Sequence, residues 1–292
     1  MDYLIHIVII VALYSLLALS MNMVMGYAGL LSMMQAVFYG IGAYAIGILC
    51  NGDAPYLSFG AALGVGILVN ALVALGVALL SERLRDLYFG LATLALQVIF
   101  YAVIYNWTDL TSGPFGIRAI NSPIILGWKM DSTEAYLGMS LVALSLALLF
   151  FYWFEQTPFC RMMKSVRDDT LAVVALGKRP LPYKQASLVI GAFWATLAGG
   201  LYAGYITYID PSSFTLDESI LILTILLVGG SGNILGPIMG AGFYTLLPEI
   251  LRALTLPDAI AANLKMIFFG TLLILVVRFK PNGFYGTYGL GR

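Results

Sequence analysis

The sequence predicts an all-α, polytopic helical membrane protein with about eight to ten membrane segments, short and broken helices included. Three observations predict it. Of 292 residues, 61% are hydrophobic and only 10% are charged, against about 25% charged in ordinary soluble domains. The mean hydropathy is +0.92. Apolar runs of about 20 residues, enough to cross a hydrocarbon core, recur along the whole chain. The formal net charge is zero, so there is no electrostatic case for a nucleic-acid partner. A single histidine, His6, and the cysteines Cys50 and Cys160 do not make a metal site of the usual ligand count. The two cysteines are expected on opposite sides of the membrane, unpaired.

The segments follow in order. Residues 4–20 are apolar and carry no positive region before them, so they read as a retained span rather than a cleaved signal. Residues 22–49 are apolar but interrupted by Gly26, Gly29, Gly40, Gly42 and Gly47. NGDAP at 51–55 is an external turn, and 57–80 a span with Gly60 and Gly64 in small-xxx-small spacing. SERLRD at 81–86 is an inward turn with Arg83 and Arg85, 87–105 a span, 106–135 a polar external loop, and 136–154 a span. Residues 185–208 span outward with Gly200 and Gly204 in the same small-residue spacing, and 208–219 carries three acids and no base. Residues 219–228 are a short apolar piece, 229–242 a second glycine-rich break, 243–251 another short piece, and 263–279 the last span. Arg83, Arg85, Arg161, Lys164, Arg167, Lys178, Arg179, Lys184, Arg278, Lys280 and Arg292 then lie on one side, which the excess of basic residues marks as cytoplasmic. Arg118 and Lys129 lie outside, Arg252 and Lys265 stay unassigned, and the direction of the N-terminus stays open.

The stretch 155–184 organises the chain and reads as a cytoplasmic loop within one membrane domain, 1–292. It holds six of the basic residues and is patterned as a helix. Thr157 can cap it and Pro158 fits the first helical position. Phe159, Met162, Met163, Val166, Val173 and Val174 recur at helical spacing. Gly177 can end the helix, and Pro180 and Pro182 prevent its resumption. Such a helix can lie in the lipid interface, pack on its own bundle or dock into a partner.

The two glycine breaks are similar to each other. GYAGLLSMMQAVFYG at 26–40 and GSGNILGPIMGAGFY at 230–244 both pair glycines and reach Phe-Tyr. Matched interruptions in two halves of a transporter point to a translocation site; tight helix packing is the alternative. Candidate path residues are Asn22, Gly26, Gly29, Ser32, Gln35, Thr93, Gln97, Gly229, Gly230 and Gly232. The polar ones among them are amides and hydroxyls inside apolar spans, which either face a path or bond a neighbouring helix. GGSGNILG at 229–236 lacks the Lys-Ser/Thr ending of a phosphate-binding loop.

Six pieces in order resemble the permease of branched-chain amino acid (leucine, isoleucine, valine) ABC importers, of the second of two paired permease types. They are GYAGLLSMMQAVFYGIGAY at 26–44, LRDLYFGLATLA at 84–95, TSGPFGI at 111–117, RMMKSVRDDTLAVVALG at 161–177, DPSSFTLDESILILTILLVGGSGNILGPIMGA at 210–241 and KPNGFYG at 280–286. The pattern departs at Cys160, where glycine is common, and at Lys164, where a small residue is usual. The resemblance implies the ABC importer permease fold in a bacterial cytoplasmic (inner) membrane. It also implies a second homologous permease, two ATP-binding subunits and a periplasmic substrate-binding protein as partners. No cofactor would be bound directly, ATP sitting on the partner subunits, and the chain would have no catalytic residue. Arg161, Lys164, Arg167, Asp168, Asp169, Ala172 and Gly177 correspond to the ATPase-coupling segment, the 158–177 helix. The alternatives are a urea or short-chain amide importer permease and, in a different class, an ATP-independent secondary transporter or channel. Against the latter, the runs 57–80, 87–105, 136–154 and 185–208 contain no Asp, Glu, Lys, Arg or His, whereas ion-coupled carriers usually bury ionisable residues within spans. A membrane-embedded enzyme would need clustered His, Asp or Glu, which His6 alone does not provide.

Overall fold

A computed structural model describes residues 2–51, 57–84, 86–125, 128–130, 132–253, 270–271, 274–275, 278–279 and 283–286. Arg85, Lys265, Lys280, Arg292, the turn at 52–55 and most of the expected last span at 263–279 lie outside them.

The first apolar run forms α1 (Asp2–Met21) and continues as a π-helical turn, Asn22–Tyr27. Residues 28–34 are not helical, and α2 (Gln35–Leu49) follows. The glycine-punctuated segment is therefore a broken helix. At about 1.5 Å per residue α2 is about 22 Å long, less than the ~30 Å hydrocarbon core, so the irregular stretch supplies the remainder of the crossing. Next come α3 (Phe59–Arg83), α4 (Asp86–Asn106) and the single turn α5 (Thr108–Thr111). The polar loop after it carries three two-residue strands, β1 (Ile117–Arg118), β2 (Ile124–Ile125) and β3 (Trp128–Lys129). Then α6 (Thr133–Glu155) leads to two short helices, α7 (Pro158–Asp168) and α8 (Thr170–Ala175). The long α9 (Leu181–Ile206) is followed by β4 (Tyr208–Ile209), α10 (Leu216–Gly229) and α11 (Leu235–Ala253).

Among the described residues, five helical stretches are long and apolar enough to cross a membrane: Tyr3–Tyr27, Phe59–Arg83, Leu87–Asn106, Thr133–Glu155 and Leu181–Ile206. The shorter α2 packs on α3 and α9, and α10 and α11 pack on each other and on α1. Hydrogen bonds sort the connections onto two faces. On one, β1 pairs antiparallel with β4, and Asn51 bridges Ile120, so the links after α2, α4 and α9 share a face. On the other lie α7, α8 and the link after α3, where Lys184 Nζ donates to Ser81 O at 3.4 Å. Near this second face Tyr27 donates to Glu155 at 2.9 Å, so α1 starts on the loop face and runs toward the basic one.

Two departures from the sequence expectation have local causes. The second break is confined to 230–234 rather than 229–242, because Asn233 Oδ1 accepts from Gly236 N at 2.7 Å and Pro237 sits in the first turn of α11. Gly236 and Gly240 then serve as packing positions within the helix: a Cβ on Gly240 would lie 2.1 Å from Ile225 O. The expected 158–177 helix is two helices. Asp169 leaves the helical region (φ −153°, ψ 100°), and its carboxylate accepts from Leu171 N and Ala172 N at 2.9 and 3.0 Å, capping α8.

Glycines set the closest helix contacts. A Cβ on Gly42 of α2 would fall 2.3 Å from Thr196 O, and one on Gly199 of α9 would fall 2.0 Å from Tyr39 O. Gly200 and Gly204 also pack, against Leu63 and Tyr136. Gly60 and Gly64, given the same small-xxx-small reading, have nothing within 4 Å of a built Cβ. Asn70 adds a polar tie at the α2–α3–α9 crossing, donating to Phe38 O at 2.7 Å and contacting Thr196 Oγ1. Gly199→Ala is expected to lower stability by about 1–3 kcal/mol, while Gly64→Ala leaves it nearly unchanged; thermal unfolding of the purified variants in one detergent checks this.

Candidate functional site

The site is built where the two breaks meet the basic face. A non-helical segment at membrane depth must find partners for its backbone, since lipid offers none. The structure supplies them from polar side chains inside the spans. Thr93 Oγ1 accepts from Met33 N at 3.0 Å and donates to Gly90 O at 2.9 Å. Ser32 Oγ accepts from Met34 N at 3.3 Å. The first amides of α2 are served by Ser219, whose Oγ accepts from Ala36 N at 2.9 Å and donates to Gln97 Oε1 at 3.3 Å. Gln97 Nε2 in turn donates to Phe214 O at 2.8 Å. Gln35 Nε2 donates to Ser20 Oγ, while its Oε1 has no protein partner among the described residues. Asn22, Ser32, Gln35, Thr93 and Gln97 are all buried.

Asn22 joins the two breaks directly. Its Oδ1 accepts from Gly232 N at 2.8 Å and its Nδ2 donates to Asn233 O at 2.7 Å, across more than 200 positions of sequence. A Cβ on Gly26 would lie 2.8 Å from Gly232 N, so only glycine allows this approach. Gly29, Gly230 and Gly232 hold positive φ of 72°, 110° and 88°. Gly229 packs on Gly236 and Gly240 where α10 and α11 meet. The segment 283–286 closes over the second break: Phe284 N donates to Val228 O and Tyr285 N to Gly229 O, each at 3.0 Å. The two glycine segments matched in the sequence are thus neighbours.

The helices α7 and α8 are the other half of the site. Thr157 caps α7, accepting from Cys160 N at 3.2 Å, with Pro158 at the first position. Cys160, Met163 and Val166 form its buried stripe, and Val173 continues it from α8. Gly177, at φ 73°, ends α8, and Lys178 N returns to Val173 O at 3.2 Å. The apolar positions divide: Val174, Leu171 and Leu176 are exposed, the last two by 81% and 78%. Arg161, Asp168, Asp169, Ala172 and Gly177 are exposed as well. Lys164 and Arg167 do not project freely. Lys164 Nζ lies 3.5 Å from Glu155 Oε1 and 4.9 Å from the centre of the Tyr27 ring. Arg167 Nη1 donates to Gly26 O at 2.6 Å.

The sequence profile described as branched-chain amino acid transport system / permease component matches residues 3–277. The chain belongs to that family. It is 29% identical, over 93% of its own length and 67% of theirs, to the high-affinity branched-chain amino acid transport system permease proteins LivM of Salmonella typhimurium and Escherichia coli. It is 26% identical to the probable branched-chain amino acid transport permease protein LivM of Methanocaldococcus jannaschii, over 93% of this chain and 90% of that one. No solved structure matches it significantly. The permease is accordingly a multi-pass membrane transport component. Ser219 and Ser20 belong to the same network without being candidates from the sequence, although each, like Ser32 and Thr93, is a hydroxyl inside or beside an apolar run.

Burial pushes the Cys160 thiol up, outweighing the opposing pull of Lys164 and Arg167. Because the thiolate is the reactive form, maleimide labelling of Cys160 in a Cys50→Ala background is expected to be slow at neutral pH. Its rate should rise through a pH above the ordinary ~8.5 of a free cysteine; a midpoint at or below that value contradicts the buried placement. Gly29→Leu and Gly230→Leu are expected to impair transport more than Gly64→Leu, measured as solute uptake at matched membrane expression.

Proposed function

We propose that this chain is the transmembrane permease subunit of an ABC importer for branched-chain, hydrophobic amino acids. The observation that carries the reading is the match of its family over residues 3–277, joined to an α7–α8 pair that leaves one surface exposed and reaches the interrupted segment through Arg167. The chain forms one membrane domain in the cytoplasmic membrane of a bacterium, with α7 and α8 on the cytoplasmic side. The excess of Lys and Arg at 155–184 supports that side. With that side taken as cytoplasmic, the direction of α1 supports an N-terminus outside, and the basic residues Arg278, Lys280 and Arg292 support a cytoplasmic C-terminus. A second homologous permease completes the translocation path, two ATP-binding subunits dock on α7–α8, and a periplasmic binding protein delivers the solute. The permease hydrolyses no ATP itself.

The physical logic is a lever. A two-subunit ATPase that closes on ATP and reopens after hydrolysis moves whatever is seated on it. The exposed Leu171, Val174 and Leu176 offer apolar anchors, and Arg161, Asp168 and Asp169 offer charges that set register. The solute's path runs beside the paired breaks, where Gln35 keeps an acceptor oxygen free of protein partners among the described residues.

The test is reconstitution of the whole complex. The chain, co-expressed with its partner subunits, is expected to purify with an ATPase pair and a second permease, and to take up leucine in proteoliposomes only with ATP and binding protein. A chain that purifies alone and moves solute without ATP contradicts the reading. Uptake of urea in preference to leucine contradicts the substrate.

A further inference from the structure

Arg167 belongs to the segment expected to touch the ATPase, yet its side chain turns the other way. It is 10% exposed, against 60% for the adjacent Asp168. Asp168 Oδ1 accepts from Arg167 Nε and lies 2.8 Å from its Nη2, which fixes the plane of the guanidinium. With the fork so held, Nη1 reaches Gly26 O at 2.6 Å. That carbonyl belongs to the π-helical turn, where the α-helical hydrogen-bond pattern has ended. Gly29 lies against the stem of the same arginine: its Cβ, if present, would be 2.6 Å from Arg167 Cγ, and its φ of 72° already disfavours any side chain.

The same turn carries Asn22, which holds Gly232 and Asn233 of the second break. The contacts therefore run without a gap from α7 to both breaks: Arg167 to Gly26, through one turn to Asn22, and across to Gly232. We infer that Arg167 is a positioning residue, a latch through which displacement of α7 is passed to the paired breaks, and not a contact to the ATPase. This rests on the importer reading above. A short charge-assisted bond to a backbone carbonyl suits such a role. It transmits a pull along the arginine stem and does not depend on the side chain of the residue it holds.

The test uses the full complex with its binding protein in proteoliposomes, reading leucine taken up per ATP hydrolysed. The wild type must show ATP-driven uptake; if it does not, the importer reading fails and the latch has not been the cause. In Arg167→Met the ATPase pair is expected to remain bound while uptake per ATP falls about tenfold, the scale of one lost charge-assisted bond. Arg167→Lys, which keeps one cationic donor, is expected to fall less. An unchanged ratio in Arg167→Met overturns the latch, as does loss of the ATPase pair, which would make Arg167 a docking contact. Should Arg167→Met fail to accumulate, Arg167→Lys decides: a reduced ratio with the ATPase pair bound supports the latch, and an unchanged ratio overturns it.

Discussion

An interrupted helix at membrane depth exposes amides and carbonyls that lipid cannot satisfy, and the rest of this structure depends on how they are satisfied. Residues 28–34 and 230–234 are not helical, and each is held by side chains from distant segments. Thr93, Ser219 and Asn22 serve as substitute backbone partners. Arg167 does so from outside the spans. Each such bond is worth only about 0.5–2 kcal/mol in a membrane protein, but leaving the group unpaired would cost more. Asn22, Ser32 and Thr93 are thus committed to the backbone of the breaks.

The glycines complete the argument, because side chains can bridge the breaks only if the backbones approach closely. Gly26 admits the amide of Gly232, Gly29 admits the stem of Arg167, and Gly230 admits the backbone at 286. Away from the breaks, Gly42 and Gly199 draw α2 onto α9, which fixes the outer end of the same interrupted segment. The arrangement is close-packed where α2 meets α9 and is held by a side-chain hydrogen bond where α7 meets the π-helical turn. That contrast is what a conduit moved by an external engine requires.

Much of this was legible in the residues. Apolar length and glycine punctuation point to the spans and to an interruption within 22–49, and the start of α7 is readable from Thr157 and Pro158 and the end of α8 from Gly177. Other features were visible only in part. The Asp168–Asp169 pair contained the cap that divides α7 from α8, but a continuous periodicity concealed it. Gly60 and Gly64 carried the same spacing as Gly200 and Gly204, yet only the latter pack, since spacing does not say which face of a helix meets a neighbour. The inward turn of Arg167 could not be read at all. It depends on Gly26, 141 residues away, and a charge run on a basic helix gives no sign of which member bends back. Nor did the glycine matches at 26–40 and 230–244 predict that Asn22, lying just before the first, would join them.

The central claim is that α7, the π-helical turn and the second break act as one connected unit. A double-mutant cycle tests it most directly, combining Arg167→Met with Asn22→Ala and measuring leucine uptake per ATP in the reconstituted complex. If the two residues are links of one chain, breaking either already disconnects it. The double variant should then fall no further than the worse single one. A double variant whose loss equals the product of the two single losses would show independent actions and contradict the account.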